Sequence, residues 1–260
     1  MRVALGRLAA VGWRVRLPRP RWFRAAVAAA ACAVAAFLFG VGVGGVAAAG
    51  PGVRQVRSVP VASRTIALTF DDGPDPTYTP AILAELERYG AKATFFVIGQ
   101  ELVRYPAIGR AEAEAGMEIG NHGFHHLVLA GLDPTAIRSE AQPVEREITS
   151  ITGNRPTLYR LPRGRASGRA LRALADLGYT TVNWSIDTRD WTGRSAQAIA
   201  AQVLAEAEPG AIVLLHDGGG NRQATVQALG IVLPALQARG YRFVTVSQLL
   251  ELGQPQGATA

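Results

Sequence analysis

The chain has 260 residues, 48% of them hydrophobic, and a formal net charge of +7. That composition supports a substantial core and excludes a wholly disordered polypeptide. The charge is uneven, however: residues 1–50 hold seven arginines and no acid, whereas the rest balances twenty basic against twenty acidic side chains. The body therefore carries no global signal for a polyanion, and nucleic acid is not expected as a partner.

In chain order, a basic tail (1–24) is followed by Ala25 to Gly50, 26 residues without a charge. At about 1.5 Å per residue a helix of that length crosses a hydrocarbon core of about 30 Å. We read it as a membrane anchor, with the arginines keeping the N-terminal side cytoplasmic and everything after residue 50 outside. A cleaved signal segment, cut near Ala47-Ala48-Ala49, is the competing reading, although its apolar region ordinarily spans only about 7–15 residues. The only cysteine, Cys32, lies in this segment, so the body forms no disulfide; it reads as a small apolar filler. Pro51 to Ser63 is expected to be a linker, and 253–260 a frayed tail.

Between them, apolar runs alternate with amphipathic stretches. Strands are predicted at Thr65–Phe70, Ala93–Ile98, Met117–Ile119, Leu158–Arg160, Thr180–Ser185, Ala211–Leu215 and Arg242–Val246. Helices are predicted at Pro80–Arg88, Pro106–Ala115, Pro134–Thr149, Gly168–Leu177, Ala196–Glu206 and Thr225–Ala238, with Gly90, Gly116, Gly178 and Gly240 closing four of them. Continuously apolar strands alternating with helices indicate a parallel sheet covered on both faces. An irregular (β/α) barrel of about seven strands is expected, with an open doubly wound sheet as the alternative. In such a barrel the strand ends converge on one mouth, and the polar clusters come at the ends of the strands.

The four histidines fall in two stretches, His122, His125 and His126 in GNHGFHHL and His216 in IVLLHD, while Asp71-Asp72 come directly after the first of the seven strands. Imidazole and carboxylate are the groups that bind divalent transition metals and move protons near neutral pH. His122 and His126, four apart, can share an ion if their segment is helical or tightly turned, with Asp72 completing the set. His125, three from His122, competes with His126 for that place. Adjacent strand residues point to opposite sides, so Asp71 is expected to act separately from Asp72, as a base. Taken alone, Asp-Asp-Gly-Pro is also an ordinary turn, and a lone histidine is most often structural.

The segments TFDDGPDPTYTPAIL, KATFFVIGQ, EIGNHGFHH, RLPRG, SIDTRDW and IVLLHD, in this order, resemble the polysaccharide deacetylase family, carbohydrate esterases with a NodB-like domain, from Thr65 to about Leu250. The resemblance implies Asp71 as catalytic base and Asp72, His122 and His126 as metal ligands, which favours His126 over His125. It further implies Arg160 holding the base and a main-chain N–H near Arg163 as oxyanion donor. Asp190 would tune His216, the general acid, and Trp191 and Leu214 would wall the acetyl pocket. Gly123 departs from the Ser or Thr usual in the family and removes a hydroxyl that would tie down the ligand loop. Arg163 departs from a common aromatic and makes the sugar subsite more polar.

The activity implied is that of a metal-dependent N-deacetylase, with Zn²⁺ the first expectation, acting on an N-acetylhexosamine glycan. Position outside the membrane ranks peptidoglycan above chitooligosaccharide or exopolysaccharide, and O-acetylated xylan last. An inactive glycan-binding module is the alternative of another class. A zinc metalloprotease is disfavoured because no glutamate comes after His122 in its motif.

Overall fold

The computed structural model describes residues 54–254. The basic tail, the segment 25–50 with Cys32, the first residues of the expected linker and the tail 255–260 lie outside the described residues. Among the described residues no helix is long and apolar enough to cross a membrane.

Among the described residues nine strands and eight α-helices succeed one another as β1 (Gln55–Val56), β2 (Thr65–Asp71), α1 (Tyr78–Arg88), β3 (Ala93–Val97), α2 (Gly99–Arg104), α3 (Pro106–Glu114), β4 (Glu118–Asn121), α4 (Pro134–Thr152), β5 (Leu158–Tyr159), α5 (Gly168–Asp176), β6 (Thr180–Val182), β7 (Ile186–Asp187), α6 (Ala196–Glu206), β8 (Ile212–His216), α7 (Gln223–Ala238), β9 (Arg242–Phe243) and α8 (Val246–Leu252). All seven predicted strands and six predicted helices are present, with ends shifted by a few residues. Gln55–Val56, inside the segment expected as a linker, is a strand with Val56 buried.

Eight strands lie in the order β1-β6-β5-β4-β3-β2-β8-β7, with β9 beside the start of β2, and every pairing between them is parallel. A short stretch of chain decides between barrel and open sheet. β6 pairs with β5 and β7 with β8, six places apart in the order, yet only three residues separate them. A flat sheet would put six strand spacings, about 29 Å, between them. The chain from Val182 to Ile186 reaches about 14 Å. The sheet must therefore curl, giving a parallel half-barrel whose edge strands β1 and β7 do not pair.

Burial on both sides explains the unbroken apolar strands: all seven residues of β2 are buried, and Phe70 stacks on Phe95 of β3 with ring centroids 5.0 Å apart. Helix starts are fixed locally. Asp133 accepts from the N–H groups of Thr135 and Ala136 ahead of Pro134, and Ser167 and Ser195 cap α5 and α6.

Register sets the site. Asp71 is paired with His216 across β2 and β8, and Asn121 with Tyr159 across β4 and β5. The next residues along, Asp72, His122 and Arg160, leave the sheet together at its C-terminal edge.

Candidate metal centre and active site

Of the ten residues singled out in the sequence, eight line one cavity of about 650 Å³ at that edge: Asp71, Asp72, His122, His126, Arg163, Trp191, Leu214 and His216. The other two, Arg160 and Asp190, stand behind it, each bonded to a lining residue.

Asp72, His122 and His126 converge. Asp72 Oδ1 lies 3.5 Å from His122 Nε2 and 3.4 Å from His126 Nε2, too long for hydrogen bonds, and one ligand atom from each residue falls within 4.8 Å of the others. Donors about 2.0–2.1 Å from a tetrahedral ion stand about 3.4 Å apart. Asp72 Oδ1 is buried and accepts no hydrogen bond, and an orphaned acceptor facing two ring nitrogens fits a divalent cation. His122 Nδ1 lies 2.8 Å from the Arg160 carbonyl. A carbonyl only accepts, so the proton sits on Nδ1 and the Nε2 lone pair faces the cluster. The segment after Asn121 is a turn rather than a helix. His125 turns away and pairs through Nδ1 with Glu140 at 2.7 Å, which removes it from the ligand set.

Burial works to raise the Asp72 pKa, but His122, His216 and His126 hold the carboxyl well below the usual range. Burial likewise opposes protonation of His122, yet Asp71 and Asp72 keep its pKa above the ordinary imidazole value. Burial and the nearby His122 push His126 down.

Both aspartates reach the cavity, against the alternation expected of strand neighbours. Asp71 ends β2, and Asp72 takes φ 74°, which turns its side chain back to the same side. Their partners separate them. Asp71 Oδ1 accepts from Arg160 Nη1 at 2.8 Å, and its Oδ2 stands 3.6 Å from His122 Nε2. Arg160 is fully buried; it also donates to Thr69 Oγ1, Val182 O and Asn183 O, with its guanidinium 4.2 Å from the Phe96 ring centroid. Desolvation lowers the guanidinium pKa from its ordinary value, and Asp71 offsets only part of that.

Across the cavity, His216 Nδ1 lies 2.7 Å from Asp190 Oδ1, while Asp190 Oδ2 accepts from the His216 main-chain N–H and from Thr225 Oγ1, each at 2.8 Å. Burial opposes charging the imidazole, but the hydrogen bond and charge of Asp190, with Asp71 and Asp72 adding, keep the His216 pKa raised. Trp191 is 58% exposed at the rim, whereas Leu214 is 4% exposed in the wall.

The loop carrying the ligands does not lack anchors for want of a hydroxyl at Gly123. Asn121 Oδ1 accepts from the Gly123 N–H, Glu140 accepts from the His125 N–H, and the Gly123 and Phe124 carbonyls accept from Gly99 and Gln100. Gly123 has φ 83°, and a β-carbon there would lie 3.0 Å from the Tyr159 hydroxyl and 3.4 Å from Glu140 Oε2. Sequence reasoning missed Asn121, Glu140 and Thr225 as functional residues, common residue types that act through contacts distant in the chain. It gave no individual role to the cavity residues Leu161, Trp184, Asp187, Gly219 and Arg222, although Leu161 and Asp187 lie inside the RLPRG and SIDTRDW segments at strand ends. Among the described residues four non-glycine residues have positive φ, Asp72, His126, Arg163 and Arg189; three line the cavity. Such strain gathers at functional sites.

Comparison with known proteins finds relatives in both sequence and fold. The polysaccharide deacetylase family matches residues 58–182. A peptidoglycan-N-acetylglucosamine deacetylase of Bacillus cereus is 42% identical over 194 residues, 74% of this chain and 91% of that protein. A solved peptidoglycan N-acetylglucosamine deacetylase superposes with a TM-score of 0.74 at 35% identity, over 76% of this chain and 92% of that one. A family 4 acetyl xylan esterase from Clostridium thermocellum, in complex with a cobalt ion, gives 0.69 at 36% identity, over 74% and 93%.

Proposed function

The chain belongs to the polysaccharide deacetylase family, and from that premise we propose that it removes acetyl groups from the N-acetylhexosamine units of a cell-wall glycan, peptidoglycan before chitooligosaccharide. The observation that carries the proposal is the orphaned Asp72 Oδ1 facing two imidazoles, with the paired Asp71 and His216 in the same cavity.

Asp72, His122 and His126 would hold a divalent ion, and histidine donors favour zinc among the common choices. When bound, such an ion supplies Lewis acidity, lowering the pKa of water from 15.7 toward about 7 and polarising a carbonyl. Asp71, fixed by Arg160, takes a proton from the attacking water through its free Oδ2. The main-chain N–H of Arg163 is the donor for the tetrahedral oxyanion. His216, kept protonated on Nδ1 by Asp190, gives its Nε2 proton to the departing sugar amine. Leu214 and Trp191 would wall the place of the acetyl methyl. The products are acetate and a free amino sugar.

The anchor at residues 25–50 would hold the enzyme at the membrane with the body on the outer side, where its own wall is the first glycan met; a cleaved signal segment would release it instead.

Incubating the purified chain with wall fragments and with chitin oligomers, then locating each lost acetyl by mass, tests the proposal. Acetate release is expected, falling about 10²- to 10⁴-fold in Asp71→Asn, the range for losing one general base. Glycan binding with no acetate from the wild type would point to an inactive binding module.

A further inference from the structure

Arg222 lines the cavity yet is only 6% exposed, and among the described residues it forms no ion pair. Each of its three guanidinium nitrogens donates to a different carbonyl, Nε to Gly218 at 2.7 Å, Nη2 to Gly219 at 3.0 Å and Nη1 to Asn221 at 3.2 Å. Burying a cation without an opposite charge is unfavourable unless hydrogen bonds compensate. Here they do so by drawing three carbonyls of the loop after β8 in around one planar group.

That loop lies on the turn that carries the metal ligand Asp72. The main-chain N–H groups of Asp217 and Gly218 donate to the Asp71 carbonyl at 3.1 and 3.3 Å. A β-carbon on Gly218 would lie 2.1 Å from the Asp72 carbonyl oxygen, and one on Gly219 would lie 2.8 Å from Asp72 Oδ2. Both glycines therefore touch Asp72 where no side chain fits. At the next residue of the turn, the buried Asp217 carboxylate packs on Gly73, where a β-carbon would lie 2.0 Å from Oδ2, and it accepts from Thr79 Oγ1. The Gly73 carbonyl accepts from the Ile98 N–H at 2.9 Å. Asp72 itself stands at φ 74°, and its Oδ1 accepts no hydrogen bond. The glycine loop thus blocks one side of a carboxylate that has no hydrogen bond on Oδ1 to aim it.

We propose that Arg222 is a positioning residue for the metal site: by gathering the carbonyls of Gly218, Gly219 and Asn221 it presses the glycine loop onto Asp72 and keeps Asp72 Oδ1 facing His122 and His126. The inference rests on the metal-dependent deacetylase reading and deepens it, assigning a cavity arginine to ion binding rather than to the glycan. Without the guanidinium three carbonyls lose their donor, the loop relaxes and Asp72 is free to turn away from the imidazoles.

The test titrates Zn²⁺ into the chelated full chain by calorimetry. Acetate release from wall glycan fragments at saturating Zn²⁺ and urea unfolding of the chelated protein are read alongside. Arg222→Met is expected to weaken Zn²⁺ binding about 10- to 100-fold, the usual range for a group that orients a ligand, with KM for the glycan unchanged once the ion saturates. Arg222→Lys, which keeps donors and loses the planar fork, should recover part of the affinity. Gly219→Ala, at an exposed position, disturbs the same contact, since its methyl would lie 2.8 Å from Asp72 Oδ2. A comparable loss is expected there, and this variant decides the matter if Arg222→Met does not fold. Wild-type Zn²⁺ affinity in Arg222→Met or in Gly219→Ala overturns the inference, and so does a raised KM with ion binding intact, which would make Arg222 a glycan contact. An Arg222→Met protein that is less stable in urea yet binds Zn²⁺ as the wild type does leaves only a structural role and overturns it too. In each of these cases acetate release by the Zn²⁺-loaded wild type keeps the deacetylase reading intact; a wild type that binds no Zn²⁺ and releases no acetate overturns both.

Discussion

At the scale of single residues, the site works by giving like groups unlike partners. Asp71 and Asp72 are neighbours in sequence, yet the buried Arg160 holds one and two imidazoles face the other. The His216–Asp190 pair has a pH signature. Because the folded-state pKa of His216 is raised, its contribution to stability is full below the unfolded value of about 6.5 and is lost as pH rises through the folded value. Burial works to raise the Asp190 pKa, but hydrogen bonds from His216 and Thr225 hold it down. Its contribution is therefore present above the unfolded carboxylate value and lost as pH falls through the folded one. A proton-donating imidazole fails when it deprotonates. Asp190→Asn is therefore expected to move the alkaline limb of the kcat/KM profile to lower pH, measured as acetate release between about pH 5 and 10; an unmoved limb would remove His216 from the acid role.

At the scale of elements, the strands that build the site were legible because burial on both faces leaves an unbroken apolar run, as in β2 and β8. β1 and β7, of two residues each, and α2 and α8, of six and seven, are too short to show a period. The curl was legible only as a class, since it comes from β6 and β7 sharing one stretch of chain, a pairing that periodicity does not reveal. The histidines were legible because they cluster; Glu140, 15 residues from His125, and Thr225, 35 from Asp190, were not, because only the fold brings them in. The ligand turn after β4 is anchored without a side chain at Gly123. There, at φ 83°, a β-carbon would lie 3.0 Å from the Tyr159 hydroxyl and 3.4 Å from Glu140 Oε2. Gly123→Ser is expected to destabilise the protein by about 1 kcal/mol or more, read from urea unfolding, without tightening ion binding. A stabilised protein with higher ion affinity would restore the missing-hydroxyl account.

At the scale of the whole molecule, one parallel sheet curls so that residues from β2, β4, β5 and β8, from Asp71 to His216 in sequence, open on one cavity. Charge obeys the same division: the excess of arginine lies in residues 1–50, outside the described residues, and the body is balanced. The site's own charges, rather than the net charge, are therefore expected to govern which glycan is chosen. The whole scheme depends on Asp72, His122 and His126 sharing one cation. Titrating a divalent ion back into the chelated full chain, with bound ion and acetate release read from the same samples, measures that directly. Activity should rise in step with occupancy and saturate at one ion per chain, and Asp72→Ala should show neither. Full acetate release from the chelated protein, or undiminished ion binding in Asp72→Ala, would contradict it.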